Sequence, residues 1–240
     1  MPSALELEMT EHTSVEAMAV ALAAEIEARL ANAIAERGAA SLAVSGGSTP
    51  KPLYQRLSDA DIDWSKVTVV LVDERWVDPG EAGSNEDFVR TSLIQNKAAA
   101  ASFIGLKTAG LKPADGLAEA ESRLTDLPLP IDVSILGMGN DGHTASWFPH
   151  AVGLDACLNA DRSLLAAVRA ERSEVTGDHL DRITLTRRPI ARSGVIYLML
   201  SGEAKREALA AAAGGSDIAQ MPVRTLLRDE TLPFQIHWAG

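Results

Sequence analysis

The sequence predicts an α/β fold in which helices cover both faces of a mostly parallel sheet. Short apolar runs alternate along the chain with stretches of helical periodicity, which is typical of parallel strands joined by right-handed crossovers. Several of these runs are almost continuous in Val, Ile and Leu, as expected of strands that are buried on both faces. We therefore expect a Rossmann-like arrangement of three layers, with residues 1–240 in a single domain.

The apolar runs and the periodic stretches place the individual elements. The first helix is expected over residues 14–37, between a capping-box pattern at Thr13 and Glu16 and a terminating Gly38. Further helices are expected near residues 50–58, 85–96, 115–125, 203–213 and 222–228. Strands are expected over residues 41–45, 67–73, 131–139, 182–186, 194–202 and 234–239.

Composition and charge exclude several classes of function. The chain is 46% hydrophobic and 23% charged, which is ordinary for a globular protein with a sizeable core. Its formal net charge of −11 leaves no basic footprint for nucleic acid, and its apolar runs are shorter than the ~20 residues of a membrane span. The single cysteine, Cys157, is expected in the core and fits a reducing compartment. Because the N-terminal stretch MPSALELEM also lacks a signal-peptide pattern, we expect a cytoplasmic protein.

Polar clusters follow four of the apolar runs. They are SGGSTP (45–50), DERW (73–76), GNDGHTAS (139–146) and SGEAKR (201–206). In an open parallel sheet the carboxyl ends of the strands share one edge, and ligands bind there. Each cluster alone could be an ordinary polar loop, but together they indicate a single site at that edge.

The glycine-rich cluster is suited to an anion. Gly46 and Gly47 permit unusual backbone angles and a close approach of a ligand. Ser48 or Thr49 can cap the following helix, with Pro50 at its first position. Backbone amides and the helix dipole would then attract a phosphate. The turn lacks the Gly-Lys-Ser/Thr ending of a nucleotide P-loop, so a purely structural turn is the alternative.

Three cationic side chains near strand ends could supply a counter-charge. Arg75, Arg182 and Lys205 are the candidates, although each alone could be a solvated surface charge. Arg182 would bind an anion through its fork of donors, and Lys205 as a point charge. A lysine in the first turn of a helix is slightly unfavourable for the helix dipole, which favours a functional reason for Lys205.

The densest cluster is GMGNDGHTASWFP (137–149), which contains His143. A histidine in this position can act as a general base near neutral pH, with Asp141 or Asp73 to orient it. Metal binding by His143 and His150 is a weaker alternative because no ligand pattern supports it, and we expect no metal. The G-x-S-x-G elbow of serine hydrolases is absent. The other histidines are interpreted as structural or surface residues: His12, His179 and His237.

Taken together, these motifs resemble the 6-phosphogluconolactonase family. The matching stretches are SGGSTP, VDERWVDPGEAGSNEDFVR, GMGNDGHTASWFP, DRITLT and SGEAKR, which follow the family's order from about residue 45 to 206. The resemblance implies the fold that this family shares with glucosamine-6-phosphate deaminases and ribose-5-phosphate isomerases. It also implies hydrolysis of 6-phospho-D-glucono-1,5-lactone to 6-phosphogluconate in the pentose phosphate pathway, without a metal or organic cofactor.

The resemblance further implies roles for individual residues. His143 would remove a proton from the attacking water, and Asp73 would orient His143 or serve as an alternative base. Arg75 would position the sugar or stabilise negative charge on the carbonyl oxygen. Asn85 would support the 73–75 segment or cap a helix. Contacts with the sugar and its phosphate are expected from Gly46, Gly47, Ser48, Thr49, Asn85, Gly139, Asp141, Gly142, Arg182 and Lys205. A monomer or a small homo-oligomer is expected.

Two other functions remain as alternatives. Deaminases of this group look like DGHIAFNEP where this chain has DGHTASWFP, so Trp147 and Phe148 stand in place of Asn and Glu. Neither aromatic side chain can shuttle a proton, which argues against a deaminase or isomerase. A non-catalytic sensor of sugar phosphates is the third possibility. Trp147 also replaces a commoner aliphatic residue of the lactonases, and His150 a common glycine, which leaves the fine tuning of the substrate open.

Overall fold

The computed structural model describes residues 5–240, so the first four residues of the N-terminal stretch lie outside it. The strands of the described chain form two sheets. They are β1 (Met9–His12), β2 (Ala40–Val44), β3 (Val67–Leu71), β4 (Asp73–Arg75), β5 (Ser102–Ile104), β6 (Val133–Leu136), β7 (Leu165–Arg169), β8 (Asp181–Leu185), β9 (Val195–Ser201) and β10 (Phe234–Ala239). The α/β class and the mostly parallel sheet are confirmed.

The larger sheet has seven strands in the order β1-β10-β9-β6-β2-β3-β5, and every neighbouring pair in it is parallel. All residues of β2 and β6 are buried, as are all residues of β9 except the last. Central strands that are buried on both faces explain why these segments are nearly continuous in apolar residues. The short strands β1, β5 and β7 were not predicted, because none offers a long apolar run.

Helices connect these strands. They are α1 (Val15–Arg37), α2 (Lys51–Leu57), α3 (Asn85–Ser92), α4 (Pro113–Arg123), α5 (Leu154–Asn159), α6 (Arg187–Ala191), α7 (Glu203–Gly214) and α8 (Arg224–Leu227). The six helices that the periodicity predicts are present, with ends that differ by a few residues. The five- and six-residue helices α6 and α5 were missed, since they are too short to show a helical period.

Helix α1 shows how local sequence signals set the ends of an element. Gly38 adopts φ 78° and donates its backbone N–H to the carbonyl of Ile34, as the glycine stop signal predicts. The capping residue is Ser14 rather than Thr13, because the Ser14 hydroxyl accepts a hydrogen bond from the Ala17 amide at 3.1 Å. The buried face of α1 carries apolar residues at helical spacing: Met18, Leu22, Ile26, Leu30 and Ala33.

The second sheet corrects two predictions. The predicted strand 67–73 is divided at Val72, whose amide donates to Val44 in the large sheet while its carbonyl accepts from Leu185 in the small one. The chain therefore passes from one sheet to the other at this residue. Strand β8, predicted within the parallel sheet, instead lies between β4 and β7 in an antiparallel sheet. A continuous apolar run does not reveal on which residue the chain changes sheets.

One connected cluster of buried apolar side chains extends through both sheets. Among its largest fully buried members are Trp64, Trp147, Tyr54 and Tyr197. Cys157 is buried, as predicted. The organisation as a single domain stays a prediction. Within residues 5–240, no helix combines the length and apolar character needed to cross a membrane.

Candidate active site

The four polar clusters meet at one cavity at the carboxyl edge of the large sheet. Its volume of about 430 Å³ lies in the range of roughly 300–1,000 Å³ that is usual for small-molecule sites. Every residue predicted for the site lines this cavity except Asp141 and Gly142. Asp141 lies behind His143, and Gly142 adopts φ 78° against the side chain of Met221.

His143 is held by Asp141. The Nδ1 atom of its imidazole is 2.6 Å from Oδ1 of Asp141, which also accepts the backbone N–H of His143 at 3.1 Å. Because an ionised carboxylate can only accept hydrogen bonds, the neutral form of this imidazole carries its proton on Nδ1 and has its lone pair on Nε2. A Cβ atom on Gly139 would lie 2.1 Å from Nδ1 and 2.4 Å from this carboxylate oxygen, so only glycine leaves room for the pair.

The surroundings favour an ionised Asp141. Burial raises the pKa of its carboxyl group, but the hydrogen bonds and the charge of His143 outweigh that effect and leave the pKa below its ordinary value. The imidazole also packs against Phe148, with ring centroids 4.3 Å apart. His143 thus presents a partly exposed imidazole whose orientation is restricted by a hydrogen bond and by ring packing.

Asp73 has different partners. Its Oδ2 accepts a hydrogen bond from the Ser146 hydroxyl at 2.5 Å, and the Asn85 amide donates to the Asp73 carbonyl at 2.9 Å and lies 3.5 Å from Oδ1. Within the described chain no hydrogen bond joins Asp73 to His143. Of the two carboxylates that the sequence left open as partners of the imidazole, the structure therefore places Asp141 in that position.

Asn85 connects several parts of the site. Its Oδ1 lies 3.4 Å from Nη1 of Arg75, which also donates to the carbonyl of Gly83 at 2.6 Å. A Cβ atom on Gly46 would lie 2.1 Å from the same oxygen, so this glycine is required by the close approach of Asn85. The cap of α3 is Ser84, and Asn85 is the first residue of the helix. Two roles were predicted for Asn85, to support the 73–75 segment or to cap a helix. The structure shows the first: the Asn85 side chain bonds this segment, and Ser84 caps the helix.

The glycine-rich turn differs from its prediction in one respect. Gly47 adopts φ 107°, a conformation that favours glycine. Neither Ser48 nor Thr49 caps α2, whose N-cap is Pro50 without a side-chain hydrogen bond. The reason is that the Thr49 hydroxyl lies 2.8 Å from the hydroxyl of Ser201, so this side chain ties the turn to the end of β9.

Of the three candidate counter-charges, Lys205 and Arg182 have different surroundings. Burial lowers the pKa of the Lys205 ammonium group, and the nearby Asp141 carboxylate opposes this shift. Arg182 is only 4% exposed, and burial lowers its pKa to about 10 although the charge of Asp73 opposes that change. Its Nε donates to the carbonyl of His179 at 2.7 Å and its Nη2 to that of Thr176 at 3.3 Å.

Arg182 lies at the start of a strand, as the run 182–186 predicts, but that strand is antiparallel to its neighbours rather than part of the parallel sheet. Arg182 lies near the start of β8, directly opposite Arg75 in the antiparallel pair. Its guanidinium group enters the cavity from the second sheet and at the same time holds the 170–180 loop. That loop brings His179, interpreted from the sequence as a surface residue, close to Arg75: a Cβ on Gly83 would be within 3.2 Å of both side chains.

Several lining residues were not singled out from the sequence. Ser201 lies within a predicted cluster, and its position after a buried strand was a usable signal. Val175 belongs to the 170–180 loop, for which the sequence offers no signal. Ala145 has a φ of 48°, a conformation that is uncommon outside glycine. The remaining unassigned lining residues are Ser45, Pro50, Leu136, Gly137, Met138, Asn140, Met199 and Leu200. Over residues 5–240, no group of three or more His, Cys, Asp or Glu side chains is arranged to hold a metal ion.

Comparisons with known proteins agree on one family. The model described as glucosamine-6-phosphate isomerases/6-phosphogluconolactonase matches residues 13–238. The chain is 45% identical over 223 residues to a 6-phosphogluconolactonase of Rhizobium meliloti, covering 93% of this chain and 94% of that protein. It is 43% identical over 221 residues to one of Pseudomonas aeruginosa, covering 90% and 88%. A crystal structure of a 6-phosphogluconolactonase from Shewanella baltica has a TM-score of 0.93 at 40% identity, covering 99% of this chain and 100% of that one. This chain therefore belongs to the family of glucosamine-6-phosphate isomerases and 6-phosphogluconolactonases.

Proposed function

We propose that this protein hydrolyses 6-phospho-D-glucono-1,5-lactone to 6-phosphogluconate, a step of the pentose phosphate pathway. The relatives that match at 43–45% identity over most of both chains bear the name of this activity. The observation that carries the proposal is the cavity itself. An oriented imidazole, a glycine-rich turn and Lys205 line the same cavity, so one ligand can present a lactone to the base and a phosphate to the turn.

In the proposed reaction, Nε2 of His143 takes a proton from water while the water oxygen attacks the lactone carbonyl carbon. Asp141 stabilises the imidazolium that forms, because its carboxylate accepts the Nδ1 hydrogen at 2.6 Å. The tetrahedral intermediate then expels the ring oxygen, which takes the proton back from the imidazolium. The ring opens to a free hydroxyl and a carboxylic acid that ionises. A lactone is an activated ester, so this path needs no nucleophilic side chain.

Arg75 and Asp73 are proposed to serve the reacting end of the sugar. Arg75 lines the cavity and would position the sugar or stabilise negative charge on the carbonyl oxygen. The Asp73 carboxylate lines the cavity as well, held by Ser146 and Asn85, and stays the alternative base. Because no hydrogen bond joins it to His143 in the described chain, we assign the orienting role to Asp141.

The phosphate is proposed to bind at the other end, against the glycine-rich turn of Gly46, Gly47, Ser48 and Thr49. Lys205 would supply a point charge there. Arg182 would contribute through Nη1, since its other two nitrogens donate to the 170–180 loop. Gly139 would shape the cavity around the imidazole.

The deaminase alternative lacks a proton carrier where it needs one. Trp147 is fully buried, and its indole N–H donates to the carbonyl of Leu185 at 2.8 Å. Phe148 packs against the imidazole of His143. Neither side chain can take the part of the glutamate that assists ring opening.

We also propose that the reaction needs no metal or organic cofactor, since an oriented base and an activated ester suffice for it. The net charge of −11 supports a protein that does not bind nucleic acid. We propose a cytoplasmic protein of one domain, as a monomer or a small homo-oligomer.

One assay separates the candidate functions. Freshly made phosphogluconolactone is mixed with the protein, and acid release is compared with the spontaneous rate; glucosamine-6-phosphate is tested in parallel for release of ammonia. We expect acid release well above the spontaneous rate and no ammonia. Ammonia release would favour the deaminase, and binding without either product would favour the sensor.

A further inference from the structure

Glu74 is a buried carboxyl group next to the candidate site that the proposed reaction does not use. It lies in β4 between Asp73 and Arg75, its side chain is fully buried, and it does not line the cavity. Burying a carboxyl group is unfavourable unless its oxygens are hydrogen-bonded. The oxygens of Glu74 therefore need hydrogen-bond donors close to them.

Both oxygens of Glu74 hold the start of helix α3. Oε1 accepts the backbone N–H groups of Arg75 and Asn85, each at 2.8 Å. Oε2 accepts the N–H of Glu86 at 2.7 Å and lies 3.3 Å from the hydroxyl of Ser84. The carboxyl group thus joins the strand of Asp73 and Arg75 to the first two residues of the helix.

Asn85, the residue that Glu74 fixes through its backbone, reaches into the site. Its side-chain amide donates to the carbonyl of Asp73, its Oδ1 faces Arg75, and it packs against Gly46. A small shift of the start of α3 would move all three contacts together. Misplacement of reacting groups by about 1 Å can lower a rate by about 10²-fold.

We propose that Glu74 is a positioning residue whose buried carboxyl group fixes Asn85 and, through Asn85, holds Asp73 and Arg75 in the geometry that the reaction needs. This inference rests on the proposed lactonase function. Capping of α3 alone does not account for Glu74, because Ser84 already accepts the Asp87 amide at 3.2 Å as the N-cap of that helix. Burial raises the pKa of Glu74 to about 7, against the opposing effect of its three backbone hydrogen bonds.

The Glu74→Gln variant removes an acceptor with little change of shape. A carboxyl group accepts the amides through both oxygens, and in its protonated form it can donate to Ser84 as well. A glutamine side chain has one accepting oxygen, so its NH₂ group must face either the Glu86 amide or the amides of Arg75 and Asn85. The NH₂ group, a donor, then faces a backbone N–H group, also a donor, in a buried place. We expect the start of α3 to shift as a result.

The experiment is a double-mutant cycle on lactone hydrolysis with Glu74→Gln, Asn85→Ala and the double variant. We expect each single variant to lower kcat by about tenfold, with the KM for phosphogluconolactone within about twofold of wild type. If Glu74 acts through Asn85, the double variant is no slower than the slower single variant. A normal kcat for Glu74→Gln, or losses that multiply in the double variant, would overturn the proposal.

Glu86→Gln is the matched control. Glu86 is also a mostly buried carboxyl group at the start of α3, but its side chain binds Nε of Arg90 at 2.8 Å and does not line the cavity. We expect this variant to keep kcat within about twofold of wild type. A tenfold loss here would mean that any weakening of the helix start lowers the rate, which would contradict a specific role for Glu74.

Two further measurements cover the cases in which Glu74→Gln does not fold or the wild type shows no turnover. Asn85→Ala leaves all the hydrogen bonds of Glu74 in place, so if Glu74→Gln does not fold, a normal kcat for folded Asn85→Ala overturns the proposal and a tenfold loss supports it. Wild-type turnover above the spontaneous rate is measured first. Its absence would count against the proposed function, whereas active wild type with equally active Glu74→Gln removes only the positioning role.

Discussion

The two ends that we propose for the cavity, a reacting end for the lactone carbonyl and a phosphate end, are built in different ways. At the reacting end, side chains hold one another in fixed positions: His143 is bound to Asp141, and Asp73 is bound to Ser146 and Asn85. At the phosphate end, a backbone turn provides the surface and the half-buried side chain of Lys205 provides charge. The reacting end is thus preorganised by side-chain hydrogen bonds, and the phosphate end by backbone conformation.

This difference indicates how substitutions should divide between kcat and KM. Proton transfer depends on exact placement, so changes at the reacting end should lower kcat. A phosphate is recognised by charge and amides in the ground state and in the transition state alike, so changes at the other end should act on KM. Each of the following predictions tests this division between kcat and KM.

The largest effect is expected from His143→Ala. Loss of the general base should lower kcat by about 10²–10⁴-fold while the KM changes little. The measurement is steady-state hydrolysis of phosphogluconolactone by a variant whose circular dichroism spectrum matches wild type. Near-normal turnover would remove His143 from the proposed role and favour Asp73.

Asp141→Asn should have the next largest effect, lowering kcat by about 10²-fold. The asparagine oxygen can still accept the Nδ1 hydrogen, but it carries no charge to stabilise the imidazolium. The matched control is Asp73→Asn, which removes a carboxylate that lines the cavity and is not hydrogen-bonded to His143. If Asp73→Asn moves the pH profile of kcat and Asp141→Asn does not, the assignment of the two carboxylates is reversed.

Gly46→Ala should disturb both ends at once. The added Cβ would lie 2.1 Å from Oδ1 of Asn85, so the asparagine or the turn must move. We expect kcat to fall and KM to rise, each by about tenfold, since overpacking of this kind typically strains a site by about 1–3 kcal/mol. Gly47→Ala is the comparison: its Cβ would meet no atom within 4 Å, but its φ of 107° disfavours alanine. A change in KM alone for Gly46→Ala would show that the two ends are not joined through Asn85.

Lys205→Met should raise the KM for the phosphorylated lactone by about tenfold and leave kcat near wild type. Hydrolysis of unphosphorylated gluconolactone by the same variant is the control, and it should be unchanged. Equal losses on both substrates would contradict a phosphate role for Lys205.

Arg182→Lys should show the same selectivity more weakly, because two of the arginine nitrogens are engaged by the 170–180 loop.

The last prediction concerns stability rather than turnover, at Glu74 beneath the reacting end. Its pKa is raised from 4.5 to about 7 by burial, so between these values the folded protein keeps a proton that the unfolded chain has released. The stabilisation is therefore complete below about pH 4.5 and is lost as the pH rises through about 7, by up to about 3 kcal/mol.

Chemical denaturation of wild type and Glu74→Gln at pH 5 and pH 8 tests this linkage. The free energy of unfolding of wild type should decline relative to that of the variant as the pH rises, because glutamine does not titrate. If the free energies of unfolding of wild type and Glu74→Gln differ by the same amount at pH 5 and at pH 8, Glu74 has an ordinary pKa in the folded protein.

Much of the large sheet could be predicted, because its central strands are buried on both faces and their apolar runs are hard to mistake. The small sheet could not. The run 67–73 is apolar up to Asp73, and only the hydrogen bonds of Val72 to both sheets show where the chain changes direction. Strand β8 was found, but its antiparallel pairing with β4 depends on partners that are distant in sequence.

Most residues predicted for the site line the cavity, but the contacts between them could not be predicted. Thr49 was expected to cap a helix and instead binds Ser201, a contact between residues 152 positions apart. Arg182 was expected to be a free counter-charge and also holds a loop. The burial of Glu74 was not predicted, since a carboxylate beside two polar residues at a strand end looks like another surface group.

By itself the sequence determined the fold class and the gathering of four polar clusters at one sheet edge. These follow from periodicity and from the geometry that all parallel sheets share. Only the tertiary structure decided which carboxylate meets the imidazole and why Gly46 and Gly139 must be glycines. Hydrogen bonds and close approaches of this kind depend on distances between segments, and residue types and their spacing along the chain do not specify those distances.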